Sequence, residues 1–253
     1  ESLKFLWDER SHEKDLIENG DRVLRCYFDL PDNYRKIIDP LIVEAISGMI
    51  KFKTLKTADK SRIFQLKNMK ELEDYCYYVA GVVGVMLTKI FCQRDNIKGN
   101  ELQLEKYQIP FGLALQLVNI IKDYKKDITR GWCYIPLTIT KRHRIDPVAV
   151  ETLSIEQQRG MITDMARPAI THLDSTIEYI KLLPLEEKSI RMFCIIPFVL
   201  AYNTLAKIIA MKGNKLSRIE VAFLLKKCNA FAKSNSSLER DYLRVKKNHF
   251  SFE

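Results

Sequence analysis

Residues 119–136 read NIIKDYKKDITRGWCYIP, and the reading of this stretch decides how the chain is built. Asp123 and Asp127 stand four apart. On a helix four residues turn about 400°, so the two carboxylates project in nearly the same direction, one turn apart. A like-charge pair at that spacing costs an isolated helix a few tenths of a kcal/mol. The cost must be offset, either by the cations around it (Lys122, Lys125, Lys126, Arg130) or by a bound metal. Paired carboxylates suit Mg²⁺, a hard cation that keeps waters and bridges to substrate phosphates. The competing reading is a surface helix laced with Asp–Lys pairs.

Working outward, the preceding residues 112–121 read GLALQLVNII, which places Gln116 and Asn119 on much the same helical face as the aspartates. Amides in an apolar stretch need hydrogen-bond partners, so a run of Gln, Asn, Asp and Asp along one face points to a wet, functional cavity. Amides satisfied by neighbouring helices are the alternative. Further upstream, residues 75–84 read YCYYVAGVVG. Gly81 and Gly84 inside a helix each cost roughly 1 kcal/mol against Ala, which is tolerated where another helix or a ligand must come close. Phenols at Tyr75, Tyr77 and Tyr78 can transfer a proton or orient a leaving group, and aromatic faces can stabilise a cation. An aromatic core helix explains the same residues without any chemistry.

The rest of the chain agrees with a helical protein. Its 253 residues hold 9 Gly and 8 Pro, too few for an all-β or low-complexity chain. Helix periods appear at Leu41, Ile42, Ala45, Ile46 and Met49, over 70–92, from about Leu102 through Lys126 with an interruption near Pro110, and over 155–182 and 186–212. A last helix over about 217–233 opens on SRIE, the pattern of a capping box. The stretch 70–92, apolar on most sides, is expected near the centre of a bundle. There are no convincing strand runs, repeats or Gly/Ser linkers, so the expectation is one all-α domain over residues 1–253.

Six cysteines (26, 76, 92, 133, 194, 228) lack any CxxC spacing; several lie in apolar helical patterns, where a free thiol packs as a small hydrophobe, and the set reads as the reduced cysteines of a cytoplasmic protein. The four histidines show no metal-ligand spacing. The net charge of +9 favours an anionic partner, such as a phosphate or a membrane headgroup. Its bases are spread along the chain without a nucleic-acid motif, which argues against nucleic acid. The longest apolar runs are too short to span a bilayer, so any membrane association is expected to be peripheral.

YCYYVAGVVG, LALQLVNIIKDYKKDITRGWCYIP and FCIIP (193–197) together resemble the squalene/phytoene synthase family, in the same order and at similar separations over roughly residues 20–235. FCIIP looks more like squalene synthases than phytoene synthases. The resemblance implies an all-α isoprenoid synthase fold with a central cavity. It implies head-to-head condensation of two prenyl diphosphates through a cyclopropyl diphosphate, most readily two farnesyl diphosphates to presqualene diphosphate and then squalene or dehydrosqualene. Mg²⁺ would assist departure of diphosphate, and NADPH would serve a reducing member. By position, Asp123 and Asp127 match the second aspartate-rich motif, Gln116 and Asn119 the polar cavity residues beside it, and Tyr75 the tyrosine of the first half-reaction. Tyr78, Lys122 and Arg130 are substrate-binding candidates, Lys122 standing where the family often has Arg.

Two departures stand out. The family commonly carries Gly-Arg where this chain has Gly131 and Trp132, with Arg130 adjacent. No Asp pair at i,i+4 precedes residue 70, where the family has its first DxxxD motif; Glu9 and Glu13 have the spacing alone and read as a solvated face. The sequence therefore reads as a chain lacking the family's opening helices, expected to be inactive or poorly folded by itself. A non-catalytic relative acting as an assembly factor or prenyl-lipid binder, and a phytoene synthase using geranylgeranyl diphosphate, are the alternatives.

Overall fold

The computed structural model describes residues 12–251. Glu9 lies outside the described residues, and of Glu13 the backbone alone is described. Contacts gather into two compact units, one ending at Pro40 and one running from Leu41 onward. The first holds α1 (His12–Glu18), α2 (Gly20–Phe28) and the opening of α3 (Asp32–Ala58). Within it Tyr27 donates a hydrogen bond to Asp39.

The second unit is built on α7 (Glu101–Thr129), which runs unbroken through Pro110. The sequence reading expected an interruption there. Proline removes one backbone donor, but Gly112, Leu113, Ala114, Leu117 and Val118 just beyond it are all buried. Tertiary packing thus holds the helix together across the missing bond. Around α7 stand α4 (Met69–Cys76), α5 (Val82–Phe91), α9 (Ile155–Leu182) and α10 (Lys188–Ile209); α11 (Arg218–Phe231) and α12 (Asn235–His249) pack outside them on α10, with the short α6 (Asp95–Lys98) and α8 (Leu137–Arg142) in the connections. The α7–α9 pair is the most extensive helix interface.

Capping chemistry fixes the ends. Ser217 and Glu220 form the reciprocal box read from SRIE, and Ser154 with Gln157 forms another at the start of α9. Helix α12 was not foreseen in its polar sequence. Leu238, Tyr242 and Val245, at helical spacing, are its buried contribution. A two-residue parallel pair, β1 (Phe64–Gln65) on β2 (Trp132–Cys133), ties the end of α3 to the loop after α7, again unforeseen.

One expectation about the core needs correction. The stretch 70–92 is half-buried along most of its length rather than central, because one side of it faces a cavity. The apolar stripe read on α3 is largely exposed: Ile46 is 49% and Met49 55% exposed, while Gly48 and Phe52 are the buried positions.

Helix α10 is long and apolar enough to cross a membrane by length and composition. Here it packs against α7, α9, α11 and α12. Its Arg191 is fully buried, donating to the carbonyls of Ala232, Ile180 and Leu183 and to Asn235 Oδ1. A guanidinium so placed pins four chain segments together, and every donor it spends is one that a buried carbonyl would otherwise lack.

Candidate active site

The polar end of α7 and the chain around it form one neighbourhood. Asp123 and Asp127 are both half-buried. Asp123 pairs with Lys122 Nζ at 3.2 Å, and the same ammonium donates to Asn119 Oδ1 at 3.0 Å. Asn119 is exposed at the rim, so its amide is met by a neighbouring side chain instead of projecting into a cavity. Gln116, half-buried, does line one. Burial and the Asp123 charge raise the Asp127 carboxyl above its ordinary value, with Arg130, Lys126 and Lys122 pulling the other way. Two carboxylates that repel in this way form a donor set a divalent cation would relieve. Among the described residues no cluster of three or more acidic, His or Cys side chains is poised around a metal. Two carboxylates plus substrate phosphates is a normal Mg²⁺ complement, so the pair fits that ion.

A raised carboxyl means that Asp127 favours the protonated fold. Its contribution to stability is fully present below the ordinary carboxylate value and is lost as pH rises through the raised one. Without added metal, Asp127→Asn is therefore expected to raise the melting temperature by about 1–2 °C at pH 7. The gain should vanish near pH 3, where the native carboxyl is itself protonated. Calorimetric scans at the two pH values check this, and an equal gain at both would assign it to something other than charge.

Beside Asp127 runs a column of rings. Tyr75 stacks on Tyr134 with centroids 4.6 Å apart, and Tyr75 OH donates to Tyr134 OH at 3.0 Å. Tyr134 stacks on Trp132 at 5.6 Å, and Trp132 meets Phe64 edge-on. Burial pushes both phenols up, and the Asp127 charge adds to the effect, so each stays a protonated donor at neutral pH. Lys56 Nζ sits 4.5 Å from the Trp132 ring centre and donates to the carbonyl of Arg130 at 3.1 Å. Gly131, with φ of +78°, makes the left-handed turn that carries the chain into Trp132. A cation therefore stands at the Gly131–Trp132 departure, but it comes from α3, while Arg130 itself is exposed. Burial and Lys53 lower the Lys56 ammonium.

Tyr78 turns away from this neighbourhood. Its ring fills the space over Gly48, where a Cβ would lie 2.0 Å from the ring, and Lys51 Nζ lies 5.7 Å from its centre. Tyr77 OH donates to Glu44 Oε1 at 2.7 Å, so Glu44 anchors a phenol.

The turn Tyr77–Gly81 between α4 and α5 is a π-helix, one residue wider than an α turn. Such insertions recur at functional sites. Two apolar cavities open on either side of it, both lined by Val79. One, of about 410 Å³, lies against α3 and the ring column, with Phe52, Tyr75 and Tyr134 in its wall. The other, of about 440 Å³, lies between α5, α7, α9 and α10 and includes Gln116, Phe111, Phe91, Phe193 and Pro197. Both are of ligand size. The second cavity contains a residue that the sequence reading passed over, Gln108, whose signal was its place two turns upstream of Gln116 on the same face.

The sequence model of the squalene/phytoene synthase family matches residues 1–225. The chain belongs to that family. It is 31% identical to the squalene synthase of Schizosaccharomyces pombe over 201 residues, 78% of this chain and 43% of that protein. It is 30% identical to squalene synthase 3 of Panax ginseng over 202 residues, 76% of this chain and 44% of that one. The chain thus spans less than half the length of these relatives. Among solved structures it resembles a complex of TcSQS with a ligand, at a TM-score of 0.70, 23% identity and coverage of 95% of this chain and 76% of that one. A dehydrosqualene synthase solved with a ligand follows at a TM-score of 0.53 and 21% identity, covering 71% and 62%. The fold is accordingly the all-α isoprenoid synthase fold that the motifs implied.

Proposed function

We propose that this squalene/phytoene synthase chain carries the catalytic half-site of a head-to-head prenyltransferase that takes farnesyl diphosphate. The observation that carries the reading is a single helix with two ends of opposite character. Asp123, Asp127 and three nearby cations (Lys122, Lys126, Arg130) mark one end of α7, and an apolar cavity of about 440 Å³ borders the helix upstream of them. An anionic head on a long hydrocarbon tail fits that polarity.

In this reading Asp123 and Asp127 would hold Mg²⁺, which would supply positive charge to offset that of a leaving diphosphate. Lys122 and Arg130 take further phosphate charge, and Lys56 is a third cation within the same neighbourhood. Tyr134, kept protonated by burial, is a hydrogen-bond donor to a departing oxygen rather than a base, and Tyr75, whose O–H is donated to it, orients that phenol. In this reading positive charge on an allylic carbon would be stabilised by the ring of Tyr75, which lines the cavity against α3. The apolar walls keep water from that charge.

The test is incubation of the full-length gene product with radiolabelled farnesyl diphosphate and Mg²⁺, with and without NADPH. Squalene formed only with NADPH supports a reducing synthase, and dehydrosqualene formed regardless supports a non-reducing one. The absence of product from both farnesyl and geranylgeranyl diphosphate would overturn the reading in favour of a non-catalytic prenyl binder.

A further inference from the structure

The larger cavity is apolar except at a few points, and one of these has no hydrogen-bond partner. Gln108 is 9% exposed, lines the cavity, and its side-chain oxygen is buried without a donor. A buried acceptor in that state is uncommon and asks for an explanation. Local structure offers none: the backbone of Gln108 is occupied by close packing, since a Cβ on Gly84 would lie 2.1 Å from its carbonyl oxygen. The side chain lies at the cavity wall with its oxygen unpaired in the protein.

Its position gives the amide a meaning. Gln108 lies fifteen residues before Asp123 on the same continuous helix, about 22 Å along the axis. It is the cavity-lining residue of α7 farthest from the aspartates. The chain opposite runs the other way. A Cβ on Gly112 would meet the carbonyl of Ala80, and Gly84 faces Gln108, so Tyr75 lies towards the acidic end and Phe91 towards the far end. Phe91 closes on Phe193 with ring centres 6.1 Å apart, and Phe111 on Tyr179 at 5.4 Å. A tail anchored at the aspartates and laid along α7 would therefore enter this cavity by Gln116 and run towards ring pairs and Gln108.

We infer that Gln108 is a specificity-determining residue that limits the length of prenyl tail this cavity accepts. The inference rests on the prenyl diphosphate reading above. A tail that stops short of Gln108 leaves the amide nitrogen, the end that is not enclosed, open to a small polar partner. A tail one prenyl unit longer lays hydrocarbon on it and denies it any partner, which costs roughly tenfold or more in affinity. The residue thereby disfavours the longer substrate without touching the reacting carbon.

The experiment compares binding of farnesyl and geranylgeranyl thiolodiphosphates, which keep the head group but react slowly, to the full-length gene product and to Gln108→Met. Methionine keeps the length and approximate volume of the side chain and removes the amide. The wild-type protein is expected to favour the shorter analogue, and Gln108→Met to shift the ratio of dissociation constants about tenfold towards the longer one. Gln108→Leu should shift it in the same direction, and its ratio decides the matter if the Met variant fails to melt cooperatively. A ratio unchanged within twofold in the folded variant, with both analogues still binding, overturns the role of Gln108 and leaves the prenyl diphosphate reading standing. Failure of the wild-type protein to bind either analogue overturns that reading, and this inference with it.

Discussion

Asp123→Ala in the full-length gene product should lower turnover of farnesyl diphosphate by roughly 10²–10³-fold, with folding and melting temperature nearly unchanged. The size of the effect follows from what the side chain faces. Its partner within the protein is Lys122, next to it in sequence, at 3.2 Å. That pair lies at a partly exposed rim, where an ion pair adds about 0–1 kcal/mol to stability. Removing Asp123 also removes the charge that helps raise the Asp127 carboxyl, which if anything favours the fold. A carboxylate that stabilises nothing in the free protein, yet is held beside a second one, has its use in the liganded state. Steady-state assays over a Mg²⁺ titration distinguish the possibilities. A large drop that high Mg²⁺ partly restores fits a weakened metal site. Turnover within threefold of wild type at all Mg²⁺ concentrations would mean that the aspartates are surface charges, as the competing sequence reading had it.

What the sequence disclosed and what it hid differ in range. The Ser217–Glu220 box, the long helices α9 and α10, and the shared face of Asp123 and Asp127 are relations among residues three to eight apart, and local pattern contains them. Long-range partners were not legible. Lys56 reaches Arg130 across 74 positions, Tyr77 reaches Glu44 across 33, and neither link leaves a trace in local periodicity. Asn119 shows how a correct face can still give a wrong environment: it shares the helical side of Gln116, but at the rim Lys122 meets its amide. The largely exposed stripe on α3 makes the same point, since periodicity reports that a face is apolar and not what covers it. Gln108 was the opposite case, a local signal present and unread. Its spacing of eight from Gln116, with Gly112 between, continues the polar row into the apolar part of the helix.

The two glycines Gly84 and Gly112 lead to the largest expected change in stability. They sit where the chain Tyr77–Phe91 crosses α7, and each faces backbone. A Cβ on Gly112 would lie 2.2 Å from the Ala80 oxygen and 2.6 Å from its carbonyl carbon, and one on Gly84 would lie 2.1 Å from the Gln108 oxygen. A clash with a flexible side chain can be relieved by a rotamer change; these cannot, because the atoms belong to hydrogen-bonded helices. The helices must move apart, and the walls of the cavity, which include Ala80, Gly84 and Gly112, move with them. Overpacking in a core costs typically 1–3 kcal/mol and occasionally more. Backbone-on-backbone contact puts either single Ala substitution near the top, about 3 kcal/mol, or a fall of about 6–12 °C in melting temperature. Once one substitution has separated the helices, the second meets a gap already opened, so the double variant should fall by clearly less than the sum. Gly99→Ala serves as the control: nothing lies within 4 Å of its Cβ position and its φ of −62° suits any residue, so its melting temperature should hold or rise slightly. Single variants melting within 2 °C of wild type, or a double variant whose loss is fully additive, would show that the crossing is not the tight backbone contact described and that the cavity wall has room to give.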